Sequence, residues 1–372
     1  MNPPETLTNR GISIWLDTLS RDLIEDGRLA ALMADHAVSG ATSNPTIFAA
    51  AMIGSDRYDD QLRAELERGV EDPRDLFLAL ALEDVRRAAA LLRPLHRAAG
   101  GRDGFASFEV TPDVAYDTEA TVAQALELWR RLAAPNVMIK VPATHPGVDA
   151  IEELTSQGVN VNVTLLFAVE RYAQVIEAYL RGLERRAEAG GSLAGISSVA
   201  SFFVSRVDAK ADARLPDDSP MRGKLGIANA RAAYGLYMER FTGPRWERLA
   251  ELGAGTQRPL WASTATKDRA YRDVVYMEQL ALPDSILTVP EATLRAFGDH
   301  GDPSRMEPLD LRAVGRILAG AVDLRAITGE LEREGVEAFC SSYGELLGGI
   351  AQRARDVGAA AGHERSPVSH AD

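Results

Sequence analysis

Eight short runs rich in β-branched and aromatic residues recur along the chain, and long amphipathic segments separate them. This alternation is typical of βα units, in which helices join parallel strands and cover the sheet. Eight such units predict an α/β fold of the (β/α)8 TIM-barrel type, which commonly needs about 250 residues. The candidate strands are 12–17, 37–42, 105–110, 136–141, 159–164, 197–203, 259–264 and 285–290.

The residues beyond those that a simple barrel needs fall in three additional segments, at 50–100, 211–257 and 291–362, which are predicted to be helical. No internal repeat and no Gly/Ser-rich linker divides the chain, so we predict one domain over residues 1–362. The polar tail at 363–372 is predicted to be disordered. Cys340 lies in the last helical segment and is expected to be a buried small hydrophobe.

Charge and composition argue against several classes of partner. The net charge of −13 repels nucleic acid and anionic membranes. No run of about 18 apolar residues predicts a membrane span, and the first residues lack the pattern of a signal peptide. The single cysteine and the scattered histidines predict no disulfide and no metal site. A reducing, cytoplasmic location is therefore expected.

The fourth candidate strand, NVMIKVPAT (136–144), carries a lysine among apolar residues. Lys140 is one of only four lysines among 41 basic residues. Unlike arginine, lysine can lose its proton when it is desolvated and can then act as a nucleophile. The strand alone leaves two interpretations open: a catalytic amine, or a lysine whose charged end reaches solvent.

Polar side chains stand near the carboxyl ends of successive strands, where barrel enzymes build their active sites. Each one alone has an ordinary explanation as a turn, cap or solvated residue. A packed barrel interior has no use for so many together, so we interpret the set as a site for chemistry. Its members are Asp17, Thr42, Asn44, Glu109, Lys140, Asn162, Thr164, Ser201, Arg206, Ser263 and Lys267.

A buried lysine near two carboxylates favours Schiff-base catalysis. The neutral amine attacks a ketone, and the resulting iminium draws electrons so that a neighbouring C–C bond can break. Glu109 and Asp17 are the candidate acid/base groups. The chain has no GxGxxG motif after a strand, no Walker loop and no HExxH, so no cofactor is expected.

Several segments together resemble the transaldolase family: WLDTLSRDLI, GATSNPTIF, NVMIKVPAT, GVNVNVTLLF and SVASFFVSRVD. The resemblance spans all eight candidate strands, and PLWASTATKDRAYRDVVYMEQL and TVPEATLRAF are similar to the longer bacterial branch. It implies a class I Schiff-base barrel enzyme of the pentose phosphate pathway, without a cofactor. Such an enzyme transfers a dihydroxyacetone unit from sedoheptulose 7-phosphate to glyceraldehyde 3-phosphate, giving erythrose 4-phosphate and fructose 6-phosphate.

The resemblance also implies roles. Lys140 matches the Schiff-base lysine, Asp17 the acid/base at the donor hydroxyl, and Glu109 with Thr164 the pair that positions a catalytic water. Shorter members carry an arginine after an ASF-type motif, where this chain has ASTATK, so Lys267 also keeps the interpretation of a solvated loop residue. The donor-binding group is Thr42, Asn44, Asn162 and Ser201, and the phosphate-binding group is Arg206, Ser263 and Lys267.

Two other functions stay open at this point. A simple aldolase on the same barrel would release free dihydroxyacetone from fructose 6-phosphate. Glu109 favours transfer, since a tyrosine there would have favoured the aldolase. A non-catalytic barrel that binds sugar phosphates is the other alternative, and the complete set of polar groups argues against it. Monomer and homodimer are both compatible with the sequence.

Overall fold

The computed structural model describes residues 2–43, 45–320 and 322–364. Asn44 therefore lies outside the described part. Residues 365–372, which make up most of the tail predicted to be disordered, lie outside it as well. Within the described ranges, every helix is too short or too polar to span a lipid bilayer.

The strands form one closed barrel in which each strand pairs with its neighbours in chain order and β8 pairs with β1. All eight pairings are parallel. The predicted (β/α)8 fold is thus confirmed. The strands are β1 (Ser13–Leu16), β2 (Val38–Thr42), β3 (Phe105–Glu109), β4 (Val137–Pro142), β5 (Val161–Leu166), β6 (Ser198–Phe203), β7 (Gln257–Ala262) and β8 (Ile286–Val289).

Two strands are displaced from their predicted positions. β5 runs two residues further than expected, to Leu166, and β7 begins at Gln257 and stops at Ala262. Ser263 follows with a φ of 55°, in the left-handed region that ends an extended strand.

Helices surround the barrel and fill the three connecting segments, as expected from their amphipathic patterns. Local signals place their ends: Thr144 Oγ1 accepts the Gly147 N–H at 3.1 Å at the start of α8, and Gly190, with a φ of 77°, follows α9. The helices are α1 (Pro3–Thr8), α2 (Arg21–Glu25), α3 (Arg28–His36), α4 (Pro45–Gly54), α5 (Asp59–Glu67), α6 (Pro73–Ala98), α7 (Thr118–Leu132), α8 (His145–Ser156), α9 (Val169–Glu188), α10 (Ser205–Asp212), α11 (Leu225–Arg240), α12 (Gly243–Glu251), α13 (Val275–Gln279), α14 (Glu291–His300), α15 (Leu311–Leu318) and α16 (Leu324–Glu364).

Buried polar and aromatic side chains fill part of the amino-terminal end of the barrel. Trp15 is fully buried there, and its Nε1 donates to Asp103 Oδ1 at 2.7 Å. Arg258 Nη2 donates to Ser13 Oγ at 2.8 Å and to the Ser285 carbonyl at 3.1 Å. Barrel enzymes place their active sites at the opposite, carboxyl end of the strands, so the candidate site is described there.

The last helix, α16, crosses the carboxyl end of the barrel. A Cβ at Gly335 would lie 3.2 Å from Leu165 Cδ2, so the helix backbone comes close to the end of β5. Arg353 forms a two-pronged ion pair with Asp59 on α5, with both N–O distances 2.8 Å. Cys340 is exposed on this helix, which corrects the expectation that it is buried, because it faces away from the barrel.

Candidate active site

The lysine of β4 meets the glutamate of β3 inside the barrel. The register pairs Glu109 with Lys140, and Lys140 Nζ donates to Glu109 Oε2 at 2.8 Å. A second donation, at 3.2 Å, goes to the carbonyl of Ser43 beyond β2. The two side chains are only 11% and 9% exposed. Lys140 is therefore held by neighbouring strands and does not reach into bulk solvent.

A chain of hydrogen bonds crosses the barrel beside this pair. The register pairs Lys140 with Asn162, whose Nδ2 donates to Ser107 Oγ at 3.1 Å. Ser201 Oγ donates to Asn162 Oδ1 at 2.7 Å. All three polar residues of this chain are buried, and they come from β3, β5 and β6. The barrel thus presents fixed amide and hydroxyl groups next to the amine.

Asp17 follows β1 and is half-buried. Burial raises the pKa of its carboxyl above the usual value, since a charged carboxylate loses hydration there. The hydrogen bond from Thr18 Oγ1, at 3.0 Å, and the positive charges of Lys140 and Lys267 offset that rise only in part. A raised pKa makes the Asp17 carboxylate a stronger base.

The two threonines of the predicted set are buried. Thr42 Oγ1 donates to the Leu16 carbonyl at 3.4 Å, which ties β2 to β1. Thr164 lies two residues beyond Asn162 on the same face of β5, and its register partner is Pro142. Asn44, the remaining donor-binding candidate, lies outside the described residues.

The segments after β6 and β7 come together at the mouth of the barrel. Ser205 and Ser263 share a hydrogen bond of 2.8 Å between their hydroxyl oxygens, and the Ser205 N–H donates to the Ser263 carbonyl at 3.0 Å. Arg206 is exposed, and its guanidinium carbon lies 5.6 Å from the ring centroid of Phe203. Lys267 is exposed too. Cations and hydroxyl donors at one rim form a place where an anion can bind.

Sequence reasoning missed three contributors. Ser107 lies two residues before Glu109 on the same face of β3, and Ser205 precedes Arg206, and these positions could have drawn attention to both serines. Glu334 could not have been found in this way, because it reaches the rim from α16, where its charge acts on Arg206 and its carboxylate pairs with Lys210. An electrostatic interaction across 128 positions, between residues 206 and 334, leaves no local pattern in the sequence.

Comparisons with known proteins agree with this geometry. Residues 14–350 match the family described as Transaldolase/Fructose-6-phosphate aldolase. A transaldolase of Frankia alni is 46% identical over 362 residues, covering 95% of this chain and 97% of that protein. Transaldolase 1 of Streptomyces avermitilis is 47% identical, covering 95% and 96%, and the transaldolase of Acidothermus cellulolyticus is 47% identical, covering 94% and 96%. The chain belongs to the transaldolase/fructose-6-phosphate aldolase family.

Proposed function

We propose that the protein is a transaldolase that transfers a dihydroxyacetone unit from sedoheptulose 7-phosphate to glyceraldehyde 3-phosphate through a Schiff base on Lys140. The observation that carries the proposal is the buried contact of 2.8 Å between Lys140 Nζ and Glu109 Oε2. A nucleophile and a proton acceptor within hydrogen-bond reach are the minimum that imine chemistry requires. The names of the 44–47% identical relatives support the same activity.

In the first step, Glu109 takes a proton from Lys140, and the neutral amine attacks the ketone carbon of the donor. Glu109 then returns its proton to the hydroxyl of the neutral carbinolamine, which leaves as water and gives an iminium ion. The low exposure of both side chains, 11% and 9%, keeps bulk water away from the reacting atoms. Glu109 and the hydroxyl of Thr164 would hold the water that enters or leaves.

In the second step, the Asp17 carboxylate removes the proton from the donor hydroxyl on the carbon beyond the breaking bond. The electrons of that C–C bond move to the iminium and give an enamine, and the aldose phosphate departs. The raised pKa of Asp17 suits this role, because a stronger base accepts the proton more readily. The acceptor aldose reverses the step, and hydrolysis then frees the lysine.

Polar groups around the lysine would orient the substrates. The hydroxyls of the dihydroxyacetone unit would be bound by Asn162, Ser201 and Thr42, and we propose Asn44 for the same group. The hydrogen bond of 2.7 Å between Ser201 and Asn162 supports this role, because it fixes both side chains. Arg206, Ser263 and Lys267 would bind the phosphate. We add Ser205 to this second group, because its hydroxyl lies 2.8 Å from that of Ser263.

Borohydride trapping tests the mechanism. The protein is incubated with fructose 6-phosphate, reduced and digested, and we expect a dihydroxyacetone-sized mass on the peptide that contains Lys140. Lys140→Arg keeps the positive charge but cannot form an imine, so it serves as the matched control. An adduct on another lysine, or substantial transfer activity in Lys140→Arg, would overturn the assignment.

Product analysis separates transfer from cleavage. With fructose 6-phosphate and erythrose 4-phosphate, a transaldolase makes sedoheptulose 7-phosphate, and we expect it to form much faster than free dihydroxyacetone. Release of dihydroxyacetone at a comparable rate would favour the aldolase. If no adduct forms in a folded protein, a non-catalytic sugar-phosphate-binding barrel becomes the better reading.

We propose that the enzyme works in the cytoplasm, within the pentose phosphate pathway, and that it needs no cofactor. The net charge of −13 disfavours nucleic acid as a partner. We propose a monomer or a homodimer, and sedimentation equilibrium of the full chain distinguishes these two states.

A further inference from the structure

A cavity of about 780 Å³ lies on the flank of the barrel, apart from the candidate active site. Its walls are the amino-terminal half of α11, the segment between β7 and α13, and the segment from Glu307 into α15. Within the described residues, none of the side chains assigned above to the barrel site lines it. Its volume falls in the range of small-molecule sites.

Arg231 on α11 is the buried cation of this cavity, with 6% of the residue exposed. Its Nη2 donates to the carbonyls of Gln279 and Glu307, both at 3.1 Å. Among the described residues, the only carboxylate within 4.0 Å belongs to Glu307, whose side chain is 72% exposed and whose Oε2 lies 3.8 Å from Nη1. Carbonyl groups solvate a guanidinium but do not neutralise it, so an anion in the cavity would be stabilised.

Among the described residues that line the cavity, four are cations (Arg222, Lys224, Arg231 and Arg272) and two are anions (Glu307 and Asp310). Arg272 is already paired with the buried Glu278, at 2.8 and 3.1 Å. Asp310 Oδ1 accepts two N–H groups at the start of α15, at 2.9 and 3.0 Å, and so serves as a helix cap. Lys224 is exposed at the rim, and Arg222 forms long ion pairs with Asp217 at 3.7 Å and with Asp268 at 3.8 Å. This local excess of cations stands in a chain whose net charge is −13.

The rest of the lining is mostly apolar, and it includes the ring of Tyr271. The apolar side chains that line the cavity include Ile227, Ala228, Val275, Ala313, Val314 and Ile317. An occupant therefore needs an apolar body as well as a negative group. We propose that this cavity is a second ligand site, for a phosphate monoester of an aromatic or aliphatic alcohol, with its phosphate against Arg231.

Titration calorimetry of the full chain with 1-naphthyl phosphate tests this proposal. The barrel mouth also carries cations, so the titration is repeated with Arg206→Ala, in which we expect binding at the flank to persist. Arg231→Met keeps much of the side-chain length and removes the charge. We expect it to weaken binding about tenfold or more, the loss typical of one charge-assisted hydrogen bond. We expect 1-naphthol, which lacks the phosphate, to bind weakly in every variant.

Ala313→Trp is the second variant, because it fills the cavity from a half-buried position and leaves the hydrogen bonds of Arg231 intact. We expect it to abolish binding even if Arg231→Met fails to fold. Absence of binding to the unmodified protein at millimolar 1-naphthyl phosphate would overturn the proposal. So would binding that Arg206→Ala removes while Arg231→Met and Ala313→Trp leave it unchanged, since the ligand would then occupy the barrel mouth.

Discussion

Among single residues, Glu109 allows the sharpest test of proton transfer. Glu109→Gln keeps the shape of the side chain and an oxygen that can accept from Lys140 Nζ, now 2.8 Å away, but it cannot take up a proton. We expect kcat for transfer to fall about a hundredfold or more, the usual scale for a lost acid/base group. Glu119→Gln, at an exposed position on α7, is the control and should retain activity. A loss of less than tenfold in Glu109→Gln would contradict the role.

Replacing Asp17 with asparagine should raise the stability of the protein near neutral pH and lower its transfer activity. Its pKa is raised in the folded state, so the folded protein binds this proton more tightly than the unfolded chain does. The free energy of unfolding therefore falls as pH rises from the ordinary pKa of 3.8 through the raised value. Asp17→Asn removes this penalty. We expect its Tm to exceed that of the unmodified protein at pH 7–8, with the difference narrowing towards pH 4.

Transfer by Asp17→Asn should fall on the order of a hundredfold at the same time. Tm measured by calorimetry between pH 4 and 8, together with transfer rates, checks both parts. Asp35→Asn, at an exposed aspartate, is the control, and its Tm should follow the unmodified protein at each pH. A variant at residue 17 that is no more stable at pH 8 would argue against the burial penalty.

The ionisable residues of the site were predictable from the sequence because charged side chains are unusual within apolar strands. Asp17, Glu109 and Lys140 are charged groups at the carboxyl ends of apolar strands, and strand alternation gives their face. Ser107 and Ser205 were not singled out, since serine fits equally well in turns and on surfaces. The Ser43 group that binds Lys140 is a backbone carbonyl, and no side-chain pattern reveals it.

Among the elements, β2 depends on a residue that has no side chain. A Cβ on Gly40 would lie 2.5–2.6 Å from three atoms of the Trp15 indole, which is fully buried and hydrogen-bonded to Asp103. We expect Gly40→Ala to lower the free energy of unfolding by about 1–3 kcal/mol, as overpacking a tight core does. Urea denaturation measures this change.

Gly54→Ala, at the end of α4, is the matched control, because nothing lies within 4 Å of the added Cβ. We expect its stability to stay within about 0.5 kcal/mol of the unmodified protein, or to rise slightly. If the two variants were equally stable, the close approach of Gly40 to Trp15 would not be a constraint on the barrel.

Element types were easier to predict than element ends. All eight strands were identified because β-rich runs alternate with helical patterns, but β5 and β7 are displaced by about two residues, within the usual error of boundaries. Irregular backbone marks the carboxyl ends of both strands. Leu165, with a φ of 56°, lies within β5 where its register with β6 shifts, and Ser263, with a φ of 55°, directly follows β7. Non-glycine residues seldom adopt such φ values, so composition gives no sign of them.

For the whole molecule, α16 is expected to be part of the barrel's core and not an appendage. Six of its apolar residues are almost fully buried: Ile327, Leu331, Val336, Leu346, Ile350 and Val357. At about 1.5–3 kcal/mol each, their burial contributes on the order of 10 kcal/mol, comparable to the total stability of a typical domain. We therefore expect a chain that ends at residue 323 to lose its cooperative thermal transition.

A chain that ends at residue 362 is the control for this truncation and also tests the predicted domain boundary. We expect it to keep the Tm and the transfer activity of the full chain, because the polar tail at 363–372 offers little apolar surface to bury. A folded, active chain that ends at residue 323 would show that the barrel does not need its last helix.

The position of α16 also matters during synthesis. Chains fold from the amino terminus as they emerge from the ribosome, but here the helix that packs against the end of β5 follows all eight strands in the chain. Barrel closure through the β1–β8 pairing likewise waits for residue 289. The enzyme should therefore gain activity only after α16 has emerged, and a nascent chain whose residues 324–364 are still inside the exit tunnel should lack activity, although all eight strands are already outside.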